Sequence, residues 1–331
     1  MSYIAIINKN IADIDIYMDR YLYYQNLAVI TEFGFTKLID IFHIINADFD
    51  FFRSTLIIVF LLTVRWFIFK YTDYTAFVIA LFSIFPYCLD VAQLRNSIGM
   101  VFIIFGINIL ISDKGKHALI KYVFLVLLAS SMHFTLISYL ILSFSRLFST
   151  VKTFLFLVGS WITMLVLYLN QTILFNIINL IINEDRLLLI LDFASKYPLK
   201  KVINFSWGSV FCSLLIFSIL YISKLKLKNR IECFSEKHNM INILYKIQIL
   251  SLAVVPLFFL SVDIYRIPRN LIWLGYVGWI PNLVLLKNES KFIESLFNKV
   301  MMVTVVIIIF TVQIYGMGNL ESTFMPLLFY K

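Results

Sequence analysis

The sequence is poor in charge, in cysteine and in the short motifs that mark nucleotide or metal chemistry. Asp, Glu, Lys and Arg make up 14% of its 331 residues, against about a quarter in an ordinary soluble domain. Such a chain does not have the charge to clothe a water-facing surface, which excludes the soluble globular class. Cys88, Cys212 and Cys233 are far apart, with no Cys-X-X-Cys pair or Cys/His cluster. Neither a disulfide framework nor a zinc site is indicated, and each thiol is expected to be a small apolar filler. No Walker, Gly-X-Ser-X-Gly, His-Glu-X-X-His or Gly-X-Gly-X-X-Gly pattern occurs. ATP-driven transport, serine hydrolysis, zinc proteolysis and dinucleotide binding lose support accordingly, and no cofactor or metal is expected. The first residues carry no basic stretch with a small-residue cleavage site, so they are not a secretion signal. The apolar runs lack strict two-residue alternation, which argues against an outer-membrane barrel.

What is present is apolar: 61% of the residues are hydrophobic, and 17% of the whole chain is aromatic. Runs long enough for membrane helices of about 20 residues predict an all-α, polytopic transmembrane helix bundle with interfacial helices. Ten spans are expected, near 51–69, 74–90, 95–112, 118–132, 134–149, 153–170, 205–223, 243–261, 269–286 and 300–316. The fourth and fifth are short and form a tight hairpin about Ser130-Ser131-Met132-His133. Before the first span lies a polar, amphipathic segment, 1–50, in which Phe33, Phe35, Leu38, Ile41, Phe42 and Ile45 recur at three- and four-residue steps. That spacing fits a helix in the interface or capping the bundle. The transmembrane domain is placed at 51–316, with loops at 171–204 and 224–242, and a tail at 317–331.

The formal charge of +9 is expected to orient the chain rather than to bind nucleic acid. Alternate loops from Arg65 to Lys299, including the run Lys224 to Lys246, gather sixteen of the 28 basic residues and six of the 19 acidic ones. Basic residues predict the cytoplasmic side, which puts the 224–242 loop inside and the 1–50 segment and the 171–204 loop outside. The same count puts Arg95, His133, Arg266 and Arg269 together at the outer face. An outer N-terminal segment of about fifty residues is expected either to be translocated by the first span or to reflect the lack of a first helix that relatives have.

Candidate functional residues cluster at that face. Arg95, at the mouth of the third span beside Asp90, Gln93 and Asn96, has five fixed donors suited to a phosphate or diphosphate; snorkelling to the headgroups is the plainer alternative. His133 can exchange a proton or hold the hairpin shut. In Asp263-Ile264-Tyr265-Arg266-Ile267-Pro268-Arg269, Pro268 suits a first helical turn. That puts two arginines where unpaired amides already favour an anion, unless Asp263 simply neutralises Arg266. The outer acids Asp13, Asp15, Asp19, Glu32 and Asp90 are candidates for a general base or a metal ligand.

Four stretches together resemble one family. Asp15-Ile16-Tyr17-Met18-Asp19-Arg20-Tyr21 with Glu32-Phe33-Gly34-Phe35 and Asn46-Ala47-Asp48-Phe49-Asp50-Phe51 resembles the opening of EpsG-type membrane proteins, relatives of Wzy polysaccharide polymerases. Gln93-Leu94-Arg95-Asn96-Ser97-Ile98-Gly99-Met100 resembles their arginine-led helix start, with Asn96 and Gly99 in place of the usual glutamine and alanine. Ser131-Met132-His133-Phe134-Thr135 resembles their histidine hairpin, and Tyr265-Arg266 their late Tyr-Arg pair. The likeness covers about residues 13 to 280, and only Met1 to Asn10 stand where relatives have a first helix.

The resemblance implies polymerisation of oligosaccharide repeat units carried on undecaprenyl diphosphate, at the outer face of a bacterial inner membrane, for an extracellular or capsular polysaccharide or O-antigen. In that setting Arg95, Arg266, Arg269, Tyr265 and Asp19 are expected to hold substrate. Arg95, Arg266, His133 and Glu32 are expected to take part in the chemistry, with His133 or Glu32 as base. Partners would be the lipid-linked oligosaccharides, membrane lipids, and flippase and chain-length regulator proteins, with no nucleic acid. A membrane glycosyltransferase using a lipid-phosphate sugar, with Asp13 or Asp15 as its acid, and a flippase or transporter remain as alternatives.

Overall fold

In the computed structural model the described residues are 14–23, 32–113, 115–170, 199–228, 235–255, 266–287 and 292–314, and among them every regular element is helical. In chain order they are α1 Ile14–Tyr23, α2 Phe33–Ile44, α3 Phe49–Tyr71, α4 Thr75–Ile84, α5 Tyr87–Val91, α6 Leu94–Ser112 and α7 Ala118–Met132. A 3-10 helix, Phe134–Ser143, follows, then α8 Phe144–Leu147, α9 Thr150–Leu169, α10 Leu199–Lys228, α11 Ser235–Val254, α12 Arg266–Lys287 and α13 Phe292–Ile314. The expected loop at 171–204 and the tail at 317–331 fall mostly or wholly outside the described residues. The expected 224–242 loop is largely helix, since α10 runs on to Lys228 and α11 begins at Ser235.

Only α3, α6 and the Leu296–Ile314 part of α13 are both long and apolar enough to cross a membrane by length and composition, with five shorter apolar helices among the described residues. The second expected span, 74–90, divides into α4 and α5. Phe85 is extended, with φ −157° and ψ 135°, because Pro86 crowds the α region for the residue before it. The fifth expected span is a 3-10 helix running into one turn of α-helix. The expected hairpin forms: His133 is extended, and Tyr122 in α7 donates its hydroxyl to the Tyr139 carbonyl at 2.5 Å, so the chain folds back on itself.

Two central helices are enclosed almost all round. In α11, Ile241, Leu244, Ile247, Gln248, Leu250 and Ser251 are buried, and in α12 every residue from Ile267 to Trp279 is buried. Gln248 donates to the Leu271 carbonyl at 2.7 Å. Such helices can carry polar groups because protein rather than lipid surrounds them. Outer helices instead expose apolar faces, as α9 does with Phe154, Leu155, Ile162 and Leu165.

The N-terminal helices pack onto this bundle. In α2 the apolar repeat splits into two stripes. Phe35, Ile39 and Phe42 are buried, and Leu38 packs at their edge, while Phe33, Ile41 and Ile45 are exposed. Tyr21 of α1 donates to the Ala47 carbonyl at 2.6 Å and stacks on His43 at 4.4 Å. Asp48 caps α3, accepting from the Phe51 amide at 2.7 Å.

Glycines set how closely the helices approach. A Cβ on Gly99 would strike the Leu136 side chain and stand 3.2 Å from the Ala129 carbonyl, and one on Gly106 would meet the Tyr122 ring at 2.9 Å. Seven residues apart, the two share a face of α6 and admit α7 against it. A Cβ on Gly34 would strike the Ser131 hydroxyl, so the start of α2 is held against the hairpin tip. Gly99→Leu should therefore destabilise the protein by about 1–3 kcal/mol through overpacking. Thermal unfolding in detergent checks this, and an unchanged midpoint would contradict the α6–α7 contact.

Candidate functional site

The first turn of α6, the end of α7 and the residue before α2 meet at one point. Glu32 places Oε2 at 2.6 Å from Arg95 Nη1 and Oε1 at 3.2 Å from His133 Nδ1, and the Phe134 amide reaches Oε1 at 3.4 Å. The Arg95 guanidinium also lies 6.0 Å from the centre of the Tyr17 ring, within cation–π range. Three of the four expected chemical residues, Glu32, Arg95 and His133, are thus brought together by helices far apart in sequence.

The electrostatics assign their forms. Burial pushes the Glu32 carboxyl up, but the His133 hydrogen bond and the Arg95 charge outweigh it and hold the group down to about 2. Glu32 is therefore ionised at neutral pH and can only accept, so His133 Nδ1 carries the proton it shares with Oε1. In a neutral imidazole this leaves the lone pair on Nε2. That atom is buried and has no hydrogen-bond partner among the described residues, and the same holds for Arg95 Nε.

A second polar layer lies beneath. Arg269 is fully buried, with Nη2 at 2.8 Å from Gln93 Oε1, 3.2 Å from Asn270 Oδ1 and 3.8 Å from Asp90 Oδ1. Asn270 donates to Asn96 Oδ1 at 3.1 Å, and Ser97 donates its hydroxyl to the Asp90 carbonyl. These contacts lock the N-terminus of α12 against that of α6, so two helix dipoles present their positive ends on one side. Pro268 lies in the first turn of α12, where its missing amide costs nothing.

The other expected residues are placed as follows. Arg266 opens α12 and is half-buried. Arg269 is enclosed by its own partners rather than open at a surface. Asp19 is exposed on α1, as is Asp15. Tyr265, Asp263 and Asp13 lie outside the described residues. Tyr17, read in the sequence only as part of the Asp15–Tyr21 stretch, and Arg53 were not among the candidate functional residues. Arg53 is buried in the first turns of α3 and interacts electrostatically with Asp50 and Tyr87. The four-residue spacing of the buried Tyr17 and Tyr21 on α1 was the available signal for the first. Among the described residues no group of three or more His, Cys, Asp or Glu is gathered as a metal site would require. Cys88 and Cys212 are buried free thiols.

The sequence model of the EpsG family matches residues 1–329. No curated protein and no solved structure matches the chain.

Because the Glu32 carboxyl is depressed from about 4.5 to about 2, its ion pairs add stability that is fully present above pH 4.5 and is lost as pH falls toward 2. Glu32→Gln should cost about 2–3 kcal/mol at neutral pH and flatten the acid limb of a stability–pH curve. Unfolding followed across that window in detergent measures both.

Proposed function

The chain belongs to the EpsG family, a Wzy-like polymerase family, and from that membership we propose that it joins lipid-diphosphate-linked oligosaccharide repeat units into a polysaccharide. It is a multi-pass membrane protein of polysaccharide biosynthesis. The reaction is a glycosyl transfer at the outer face of the bacterial inner membrane, with undecaprenyl diphosphate as leaving group. The single observation that carries this reading is the Glu32–Arg95–His133 cluster at the meeting of two helix N-termini.

In the proposed mechanism Arg95 and Arg266 bind the diphosphate, and Arg269, held by Gln93 and Asp90 beneath, fixes the start of the helix that carries Arg266. As the bond from the anomeric carbon to the diphosphate oxygen breaks, charge grows on the departing phosphate, and fixed donors in a dry site stabilise it more than water would. The acceptor sugar hydroxyl attacks that carbon and gives its proton to His133 Nε2. Glu32 orients the imidazole through Nδ1, as a buried carboxylate orients a catalytic histidine elsewhere. A carboxyl at about 2 is a poor base near neutral pH, which favours His133 over Glu32 for proton removal. Tyr265 and Asp19 are proposed to contact the sugars.

Complementation of a deletion strain tests this reading. Arg95→Lys and His133→Ala should each lower polymerisation by about 100-fold or more while the protein still inserts, the first because a point charge does not reproduce a two-pronged grip. Single repeat units should then accumulate on the lipid in the outer leaflet. Normal polymer lengths in both variants, or accumulation in the inner leaflet, would remove the proposal, the latter by indicating a flippase.

A further inference from the structure

The end of the bundle opposite Arg95 holds a cavity of about 730 Å³, within the size range of small-molecule sites. Four cations line it, Lys70 of α3, Arg146 of α8, and Lys237 and Lys246 of α11, and among the described residues no carboxylate does. The lysines are positioned by other contacts. Lys246 Nζ stands 2.9 Å from both the Ser145 and the Phe148 carbonyls, Lys70 Nζ 2.6 Å from Asn108 Oδ1, and Lys237 Nζ a loose 4.0 Å from the exposed Asp73. Asp113, whose field reaches Arg146, is itself paired with Lys121 at 2.9 Å.

Two polar atoms of the lining remain unused. Among the described residues Arg146 Nη1 is buried without a hydrogen-bond partner, and so is the hydroxyl of Ser145, a residue with no exposed surface. Buried donors left unpaired are rare and demand a partner. Here both adjoin a cavity whose ionised lining groups are all positive.

We propose that this cavity binds a phosphate-bearing anion, with Arg146 and Ser145 donating to phosphoryl oxygens and the three lysines balancing its charge. Two sources share that chemistry: the headgroup of an anionic phospholipid, which basic pockets between membrane helices accept, and free inorganic phosphate. The site is separate from the proposed transfer chemistry and stands whether or not that reading does.

The test uses the full chain in phosphatidylcholine nanodiscs, titrated with inorganic phosphate by calorimetry, and in discs that also contain phosphatidylglycerol, followed by native mass spectrometry of retained lipid. Saturable phosphate binding assigns the free anion, and retention of phosphatidylglycerol alone assigns the headgroup. In either case Arg146→Gln should weaken binding about tenfold, as loss of one charged hydrogen bond does. Ser145→Ala gives a second, gentler variant should Arg146→Gln fail to insert. Lys152→Gln, an exposed lysine at the start of α9 that does not line the cavity, should change nothing. Absence of both kinds of binding, or equal loss in Lys152→Gln, overturns the proposal.

Discussion

One carboxylate holds the Arg95 end of the molecule together. Glu32 is shared between a guanidinium and an imidazole that lie 63 and 101 residues away in sequence. A half-buried charge is tolerable only when its partners are fixed, and each partner here is fixed by a different element. The close approach of Gly34 to Ser131 brings Glu32 to the hairpin, and that of Gly99 to Leu136 brings the hairpin to the start of α6. Packing through small residues thus precedes the electrostatics. Without those glycines the three ionisable groups would stand too far apart to pair.

Below that trio the polar layer is arranged to neutralise itself. Arg269 meets Asp90, Gln93 and Asn270, while Asn96 takes the other end of Asn270. Its effect is mechanical as much as electrostatic, because it joins α6 and α12 at their N-termini. The helix dipoles then add where they meet, and Arg266 contributes a charge at the same rim. An anion arriving there would find oriented amides and guanidinium groups already in place, which is the condition under which fixed dipoles outperform water.

The helical class of fold and the candidacy of Arg95, His133 and Glu32 were legible in the sequence, since scarce charge, apolar runs and isolated polar residues at span ends are local properties. Pairing was not legible, because it depends on which helices touch. Arg269 shows the limit well: its place in the first turn of α12 was readable, but its burial follows from Asp90 of α5 and Gln93 at the start of α6 arriving beside it. Arg53 escaped notice because it stands inside an apolar span and is compensated locally by Asp50 and by Tyr87. The division of the second span at Pro86 was available from the residue-before-proline rule and was hidden by the hydropathy of the run.

The two ends of the bundle use different cations, and the difference follows from geometry. Helix α6 separates them by roughly 28 Å, the length of its 19 residues. At the Arg95 end the groups near the helix starts are arginines, whose planar forks fix direction as well as charge and suit a transition state with defined oxygen positions. At the far end three of the four cavity cations are lysines, flexible point charges that tolerate a ligand of variable pose. The proposed transfer chemistry needs direction at one end and the proposed anion site needs only charge at the other, and the two sets of cations differ accordingly. The lysines of the cavity and the arginines proposed for chemistry are therefore separate populations, although both enter the same net charge of +9.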